Sequence, residues 1–113
     1  MRMTIAEFQR LIERIYLEKD RQRGIAGTFM WFVEETGELA RALRSRDQRQ
    51  LRAEFADVLA WLSTLASITG IDLEDAARSK YESGCPKCGG IPCCCQDLAG
   101  EGDLPCHPNA SGS

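Results

Sequence analysis

Apolar residues recur at three- and four-residue spacing through most of the first 82 positions, and no segment alternates convincingly with period two. The first run is Ile5, Phe8, Leu11, Ile12 and Ile15. It follows Thr4, whose hydroxyl can cap the first turn while Glu7 reaches back to the Thr4 backbone. The stretch "KDRQRGIAG", residues 19–27, breaks the period with two glycines and four charged residues, and predicts a loop. A second helix is expected from about Thr28 to Arg44. A third follows Asp47 and ends near Thr69, where Gly70 can close it, and a short fourth runs from Asp72 to about Glu82. The expected fold is all-α, an antiparallel four-helix bundle with no sheet.

Composition changes at Ser83-Gly84. The expected organisation is a helical domain over 1–83, a cysteine-rich knuckle over 84–96 and a flexible Gly/Pro/Ser-rich tail over 97–113. The chain has 113 residues, 43% hydrophobic and 27% charged, with net charge −3. That balance argues against nucleic-acid or membrane binding driven by bulk charge. No apolar run approaches the roughly 20 residues that span a bilayer. "MRMTIAEFQR" lacks the apolar core of a signal peptide, so a cytoplasmic location is expected. A core this small is often supplemented by oligomerisation or a metal.

Within the second helix, "WFVEETGELA" (31–40) sets three glutamates among large apolar residues. At about 100° per residue, Glu35 falls inside the stripe marked by Phe32, Leu39 and Leu43, and Glu38 lies about 60° away on its edge. Glu34 sits beyond that edge. The third helix repeats the arrangement: Leu51, Phe55, Val58, Leu62 and Leu65 form its stripe, Glu54 falls inside it, and Asp57 stands on the edge beside Trp61. On antiparallel neighbours the pairs 35/38 and 54/57 can converge. Converging carboxylates repel one another and lose hydration, and a divalent cation resolves both problems. An all-oxygen set favours Mg²⁺, with Mn²⁺ as the alternative, over zinc. Any single Glu-x-x-Glu is equally compatible with solvated or arginine-paired acids; the matched phase on two helices argues for a site.

The acids read Glu34-Glu35-Thr-Gly-Glu38, then Glu54-Phe-Ala-Asp57. This resembles the EExxE…ExxD signature of the MazG-like all-α nucleoside triphosphate pyrophosphohydrolases, and "VEETGELARAL" and "EFADVLAWL" are similar to that family's motif helices. The resemblance spans roughly residues 5–82. It implies hydrolysis of an NTP or dNTP between the α- and β-phosphates, releasing pyrophosphate, in the housekeeping of nucleotide pools. It also implies Mg²⁺ ligation by Glu35, Glu38, Glu54 and Asp57, with Glu34 in a water-orienting role. The family places a phosphate-binding basic residue near the end of the following helix, where Lys80 stands, although Ala77 and Glu82-Ser83 depart from the Asn and Arg found in some members. Phe29, Trp31 and Trp61 are either core aromatics or a platform for the base, with Trp31 and Trp61 the candidates for substrate binding. Lys19, Arg21 and Arg23 are either solvated or phosphate contacts. Similar proteins are dimers or tetramers, so a homodimer or homotetramer is expected.

All six cysteines lie between Cys85 and Cys106. Cys85, Cys88, Cys93 and Cys95 give CxxC-x4-CxC across the Gly89-Gly90 turn, a spacing suited to structural Zn²⁺, with Cys94 pointing away and Cys106 and His107 as distant substitutes. A reduced, metal-free segment and redox chemistry are the other readings. The CPxCG…PCxC pattern also resembles C-terminal extensions of some MazG-like proteins. A second function class is a non-catalytic helical module that uses the knuckle to bind protein or nucleic acid. With Lys87 the only positive charge in that segment, no stable nucleic-acid partner is expected.

Overall fold

A computed structural model describes residues 2–96. It contains three helices, α1 (Ile5–Ser45), α2 (Gln48–Ile68) and α3 (Leu73–Tyr81), and no strand among the described residues. The all-α class holds, but there are three helices where four were expected. The segment 19–27 is not a loop: only Gly24 leaves helical geometry, at φ 83° and ψ 174°, and the helices expected on either side of it join there through a kink and count as one element, α1. Two glycines made the stretch look like a break, yet Gly27 keeps the helix going.

The helix ends follow local chemistry. Thr4 Oγ1 accepts from Glu7 N–H at 3.0 Å and Glu7 Oε1 accepts from Thr4 N–H at 2.8 Å, the reciprocal cap that satisfies two otherwise orphaned donors. Asp47 caps α2 by accepting from Arg49 and Gln50 N–H at 3.0 and 3.4 Å. α1 closes at Arg46, which takes the left-handed conformation at φ 60° and donates its N–H to Ala42 O.

The chain forms two compact units, one ending at Glu74 and one beginning at Asp75. In the first unit α2 runs back along α1, and polar bonds set the register. Gln9 Nε2 donates to Ser67 Oγ (3.0 Å) and Ile71 O (2.8 Å), and Ser67 Oγ donates to Glu13 (2.6 Å). Thr64 Oγ1 donates to the buried Asp20 at 3.1 Å. Arg23 links the two sides of the bend, reaching Asp20 at 2.9 Å and Thr28 Oγ1 at 3.4 Å. The bend itself has a geometric cause. In a straight helix Asp20 and Trp31 would stand about 16 Å apart along the axis, yet their partners on α2, Thr64 and Trp61, are less than one turn apart.

The apolar core of the first unit is thin. Among the described residues only Ile12, Ala42 and Ala66 are buried apolar residues, while Gln9, Asp20, Thr28, Ser63 and Thr64 are buried and polar. Several residues of the expected core stripes stay exposed, notably Ile5, Ile15, Leu43, Phe55 and Leu62. One helix laid on another covers a single stripe of each, so apolar positions outside that contact remain open in one protomer. No single helix among the described residues is long and apolar enough to cross a membrane. The expected flexible tail over 97–113, with Cys106 and His107, lies outside the described residues.

Gly24 sits in a region of backbone space essentially closed to side chains, although open space surrounds its Cα. Gly24→Ala should therefore lower stability by about 1–3 kcal/mol through backbone strain alone. The helical Gly37, with equally open surroundings, should gain about 0.5–1 kcal/mol on substitution by Ala. Chemical denaturation of both variants checks the contrast.

Candidate active site

Glu35 projects from the second half of α1, and Glu54 and Asp57 from successive turns of the facing α2. The i,i+3 spacing of Glu54 and Asp57 puts both on one side of α2. The antiparallel register then carries Glu35 to them. One carboxylate oxygen from each of the three lies within 4.8 Å of the others. Glu35 and Glu54 are half-buried and Asp57 is exposed.

The electrostatic cost is visible. The carboxyl of Glu35 is raised from its ordinary 4.5 to about 7, first by burial, then by its hydrogen bond with Glu54 and by the charges of Asp57, Glu54 and Glu38. Glu54 Oε1 is buried with no hydrogen-bond partner. An orphaned carboxylate oxygen inside a cluster of acids is what a hard divalent cation would satisfy. The donors are all oxygen, which fits Mg²⁺ or Mn²⁺. Burying like charges together costs stability, and a cation removes that penalty.

The other expected site residues fall into different positions. Glu38 is near enough to raise Glu35 but stands outside the three-oxygen cluster, with Arg41 at 3.5 Å from it in a largely solvated pair. Glu34 is exposed and also outside the cluster. Trp31 and Trp61 stack across α1 and α2, ring centroids 5.9 Å apart and planes 10° from parallel. Lys80 lies on the last turn of α3, in the second unit, with its ammonium 5.8 Å from the Tyr81 ring.

Beside the acids is a pocket of about 230 Å³ in which Asp57 shares the lining with Lys19, Asp20, Arg23, Trp61 and Thr64. The Arg23 guanidinium lies 4.8 Å over the Trp61 ring while also pairing with Asp20. The sequence pattern puts Lys19 and Arg23 on a loop, as solvated charges or phosphate contacts, and gives no role to Asp20. The available signal was the Asp20/Arg23 spacing of three, which pairs side chains on a helix but means little on a loop.

A second cluster lies in the unit that begins at Asp75. Cys85, Cys88, Cys93 and Cys95 each bring a sulfur within 4.8 Å of the other three and can hold a metal. Backbone N–H groups of Cys88 and Lys87 pull the Cys85 thiol down to about 6, and thiol contacts with Cys93 and Cys88 push Cys95 up to about 12. The Cys94 sulfur does not point wholly away, approaching Cys88 Sγ to 3.9 Å.

Comparison with known proteins agrees with this geometry. The family model for the MazG nucleotide pyrophosphohydrolase domain matches residues 24–89, more than half of the chain. The match begins at the Gly24 bend and includes all five acids, both tryptophans and Lys80. No curated protein matches the chain.

Because Glu35 holds its proton up to about pH 7 in the folded protein, binding of Mg²⁺ should release a proton and weaken as pH falls below about 7. Calorimetric titrations in buffers of different ionisation enthalpy report that proton directly. The metal-free fold has the opposite dependence. Glu35 binds its proton more tightly folded than unfolded, so its stabilising contribution is full below about pH 4.5 and is lost as pH rises through about 7. Thermal melts across that window, with and without Mg²⁺, should converge at the acid end and separate towards neutrality.

Proposed function

The chain belongs to the MazG nucleotide pyrophosphohydrolase family, and we propose that it hydrolyses nucleoside triphosphates to a nucleoside monophosphate and pyrophosphate, with Mg²⁺ (or Mn²⁺) as its metal. The observation that carries this reading is the convergence of Glu35, Glu54 and Asp57 beside a pocket that Asp57 shares with two cations, Lys19 and Arg23. Bound at the acids, the metal would neutralise phosphate charge and lower the pKa of a water. Attack of a water oxygen on the α-phosphorus would break its bond to the α,β-bridging oxygen, with pyrophosphate leaving and the water's proton passing to solvent.

The side chains divide the remaining work. Glu35, Glu54 and Asp57 would hold the metal, and Glu38, now only in loose contact with Arg41, would be the next carboxylate available to it. Lys19, exposed at its helix surface, is free to reach the phosphate oxygens. Arg23 is already committed to Asp20 and to the face of Trp61, so it supports the pocket wall and contributes positive potential. Trp61 carries both Arg23 and Trp31. That leaves Trp31, 49% exposed, as the ring that can receive a base. Lys80 is a second candidate for phosphate contact, and Glu34 is at most a water-orienting residue. We place the activity in nucleotide-pool housekeeping in the cytoplasm.

The catalytic unit is proposed to be a homodimer or higher homo-oligomer. Ile25, Phe29 and Val33 repeat every fourth residue along α1 and are each about half exposed, with Met30 beside them at 70%. Such a stripe on a protomer with so little buried apolar surface is matched in chemistry by a second copy of itself.

A panel of NTPs and dNTPs with Mg²⁺, scored for pyrophosphate, tests the activity. Glu54→Gln and Asp57→Asn should each lower kcat by at least about 100-fold, since even residues one step removed from a metal cost 10–100-fold. Glu34→Gln should cost far less. Lys19→Met should raise KM by about tenfold with little change in kcat, the loss of one charge-assisted hydrogen bond. No pyrophosphate from any substrate, or full activity in Glu54→Gln, rejects the proposal. Phe29→Glu combined with Val33→Glu should shift the assembly to monomer in light scattering after size-exclusion chromatography. A wild-type monomer at micromolar concentration would end the assembly proposal.

A further inference from the structure

The cysteine cluster takes no part in the reaction above, and its geometry points to a ligand of its own. Four sulfurs each about 2.3 Å from a central ion in tetrahedral array stand about 3.8 Å apart. Cys85 and Cys95 Sγ are 3.8 Å apart and Cys88 and Cys93 Sγ are 4.0 Å apart, and all four lie within 4.8 Å of one another. These separations are far longer than the roughly 2.05 Å of a disulfide. They are those of four ligands around one position.

The backbone is shaped to the same end. Gly90 N–H donates to Cys88 Sγ at 3.4 Å and Cys95 N–H donates to Cys93 Sγ at 3.2 Å, contacts that hold both sulfurs in place. Gly89 N–H donates to Cys85 O and Cys85 N–H to Gly90 O, folding the chain back between the two halves of the cluster. The reversal is tight. A Cβ on Gly84, at φ 112°, would meet Gly89 O at 2.8 Å, and one on Gly90 would meet Pro92 O at 2.7 Å.

The segment also lacks the usual means of holding such a shape. From Asp75 to Gln96 no residue is buried, so there is no apolar core to order it. A metal supplies that order in small units, and its binding free energy becomes folding free energy. We infer that Cys85, Cys88, Cys93 and Cys95 bind one Zn²⁺ as a closed four-thiolate structural site that organises the C-terminal unit independently of the acidic metal centre. With four protein ligands no position is left for water or substrate, so the role is structural rather than catalytic. Cys94, although near Cys88, lies outside the set of four mutually close sulfurs.

The test uses the full chain, reduced, reconstituted with zinc and freed of excess metal. Elemental analysis should find one zinc per chain. Substitution with Co²⁺ should give the intense visible bands and near-ultraviolet charge transfer of a tetrahedral cobalt thiolate. Cys88→Ser and Cys95→Ser should lose the zinc while Cys94→Ser keeps it. The far-ultraviolet helical signal reports whether each variant still folds, and the wild-type cobalt spectrum decides the matter even if one does not. A metal-free wild type after reconstitution, iron in place of zinc in the protein as isolated, wild-type zinc content in Cys88→Ser, or zinc lost from Cys94→Ser would each overturn the assignment.

Discussion

The buried carboxylate of Asp20 is the contact on which the arrangement of the first unit depends. It accepts from Arg23 on its own helix and from Thr64 on the facing one, so one side chain ties the bend of α1 to the register of α2. A buried ion pair contributes little net stability against an apolar alternative, but removing one partner strands a charge and costs about 3–5 kcal/mol. That asymmetry matters more here than in a protein with a large core. With Ile12, Ala42 and Ala66 as the buried apolar residues, hydrophobic burial has little power to reject a slipped register. The bonds from Gln9 and Glu13 to the end of α2 supply the specificity instead: Gln9 donates to Ser67 and Ile71 and Glu13 accepts from the same Ser67 hydroxyl, so a slip breaks three bonds together.

Register, in turn, decides where the acids meet. Sliding α2 by one turn would move Glu54 and Asp57 about 5.4 Å along α1, more than the 4.8 Å within which their oxygens meet that of Glu35. The polar contacts at one end of the helix pair therefore hold together, at the other end, a group of carboxylates whose own repulsion opposes the fold. Stability is given up at the acids and recovered at Asp20, Gln9 and Thr64. The orphaned oxygen of Glu54 marks where that compensation stops.

How much of this was legible in the sequence depended on how local the determining interaction is. The caps at Thr4 and Asp47 could be read because a cap involves residues three apart or fewer. Glu35, Glu54 and Asp57 could be read because helical phase alone puts them on facing sides. The four cysteines could be read because ligand spacing within eleven residues constrains them. The segment around Gly24 reads as a loop in the sequence, whereas only Gly24 itself leaves helical geometry. Glycines and charges lower helix propensity, but tertiary bonds from Asp20 and Arg23 override that preference and keep the segment helical. The apolar stripes were legible as faces, yet a period says which residues share a face and not what covers it. Phe55 and Leu62 show the difference.

The same distinction separates the two halves of the proposed chemistry. Metal-binding groups sit at short, fixed intervals on regular elements, so the reaction type is written in local pattern and survives changes elsewhere. The substrate side is assembled differently. Lys19 and Arg23 precede the Gly24 bend and Trp61 comes from the other helix, so the pocket exists only once the register is in place, and the bend adds Trp31, which stacks on Trp61 from beyond it. A substitution at the bend would leave every acid of the motif in the sequence and still move Trp31 relative to Lys19 and Arg23. The placement of Trp31 therefore rests on a backbone feature that the acidic motif does not contain.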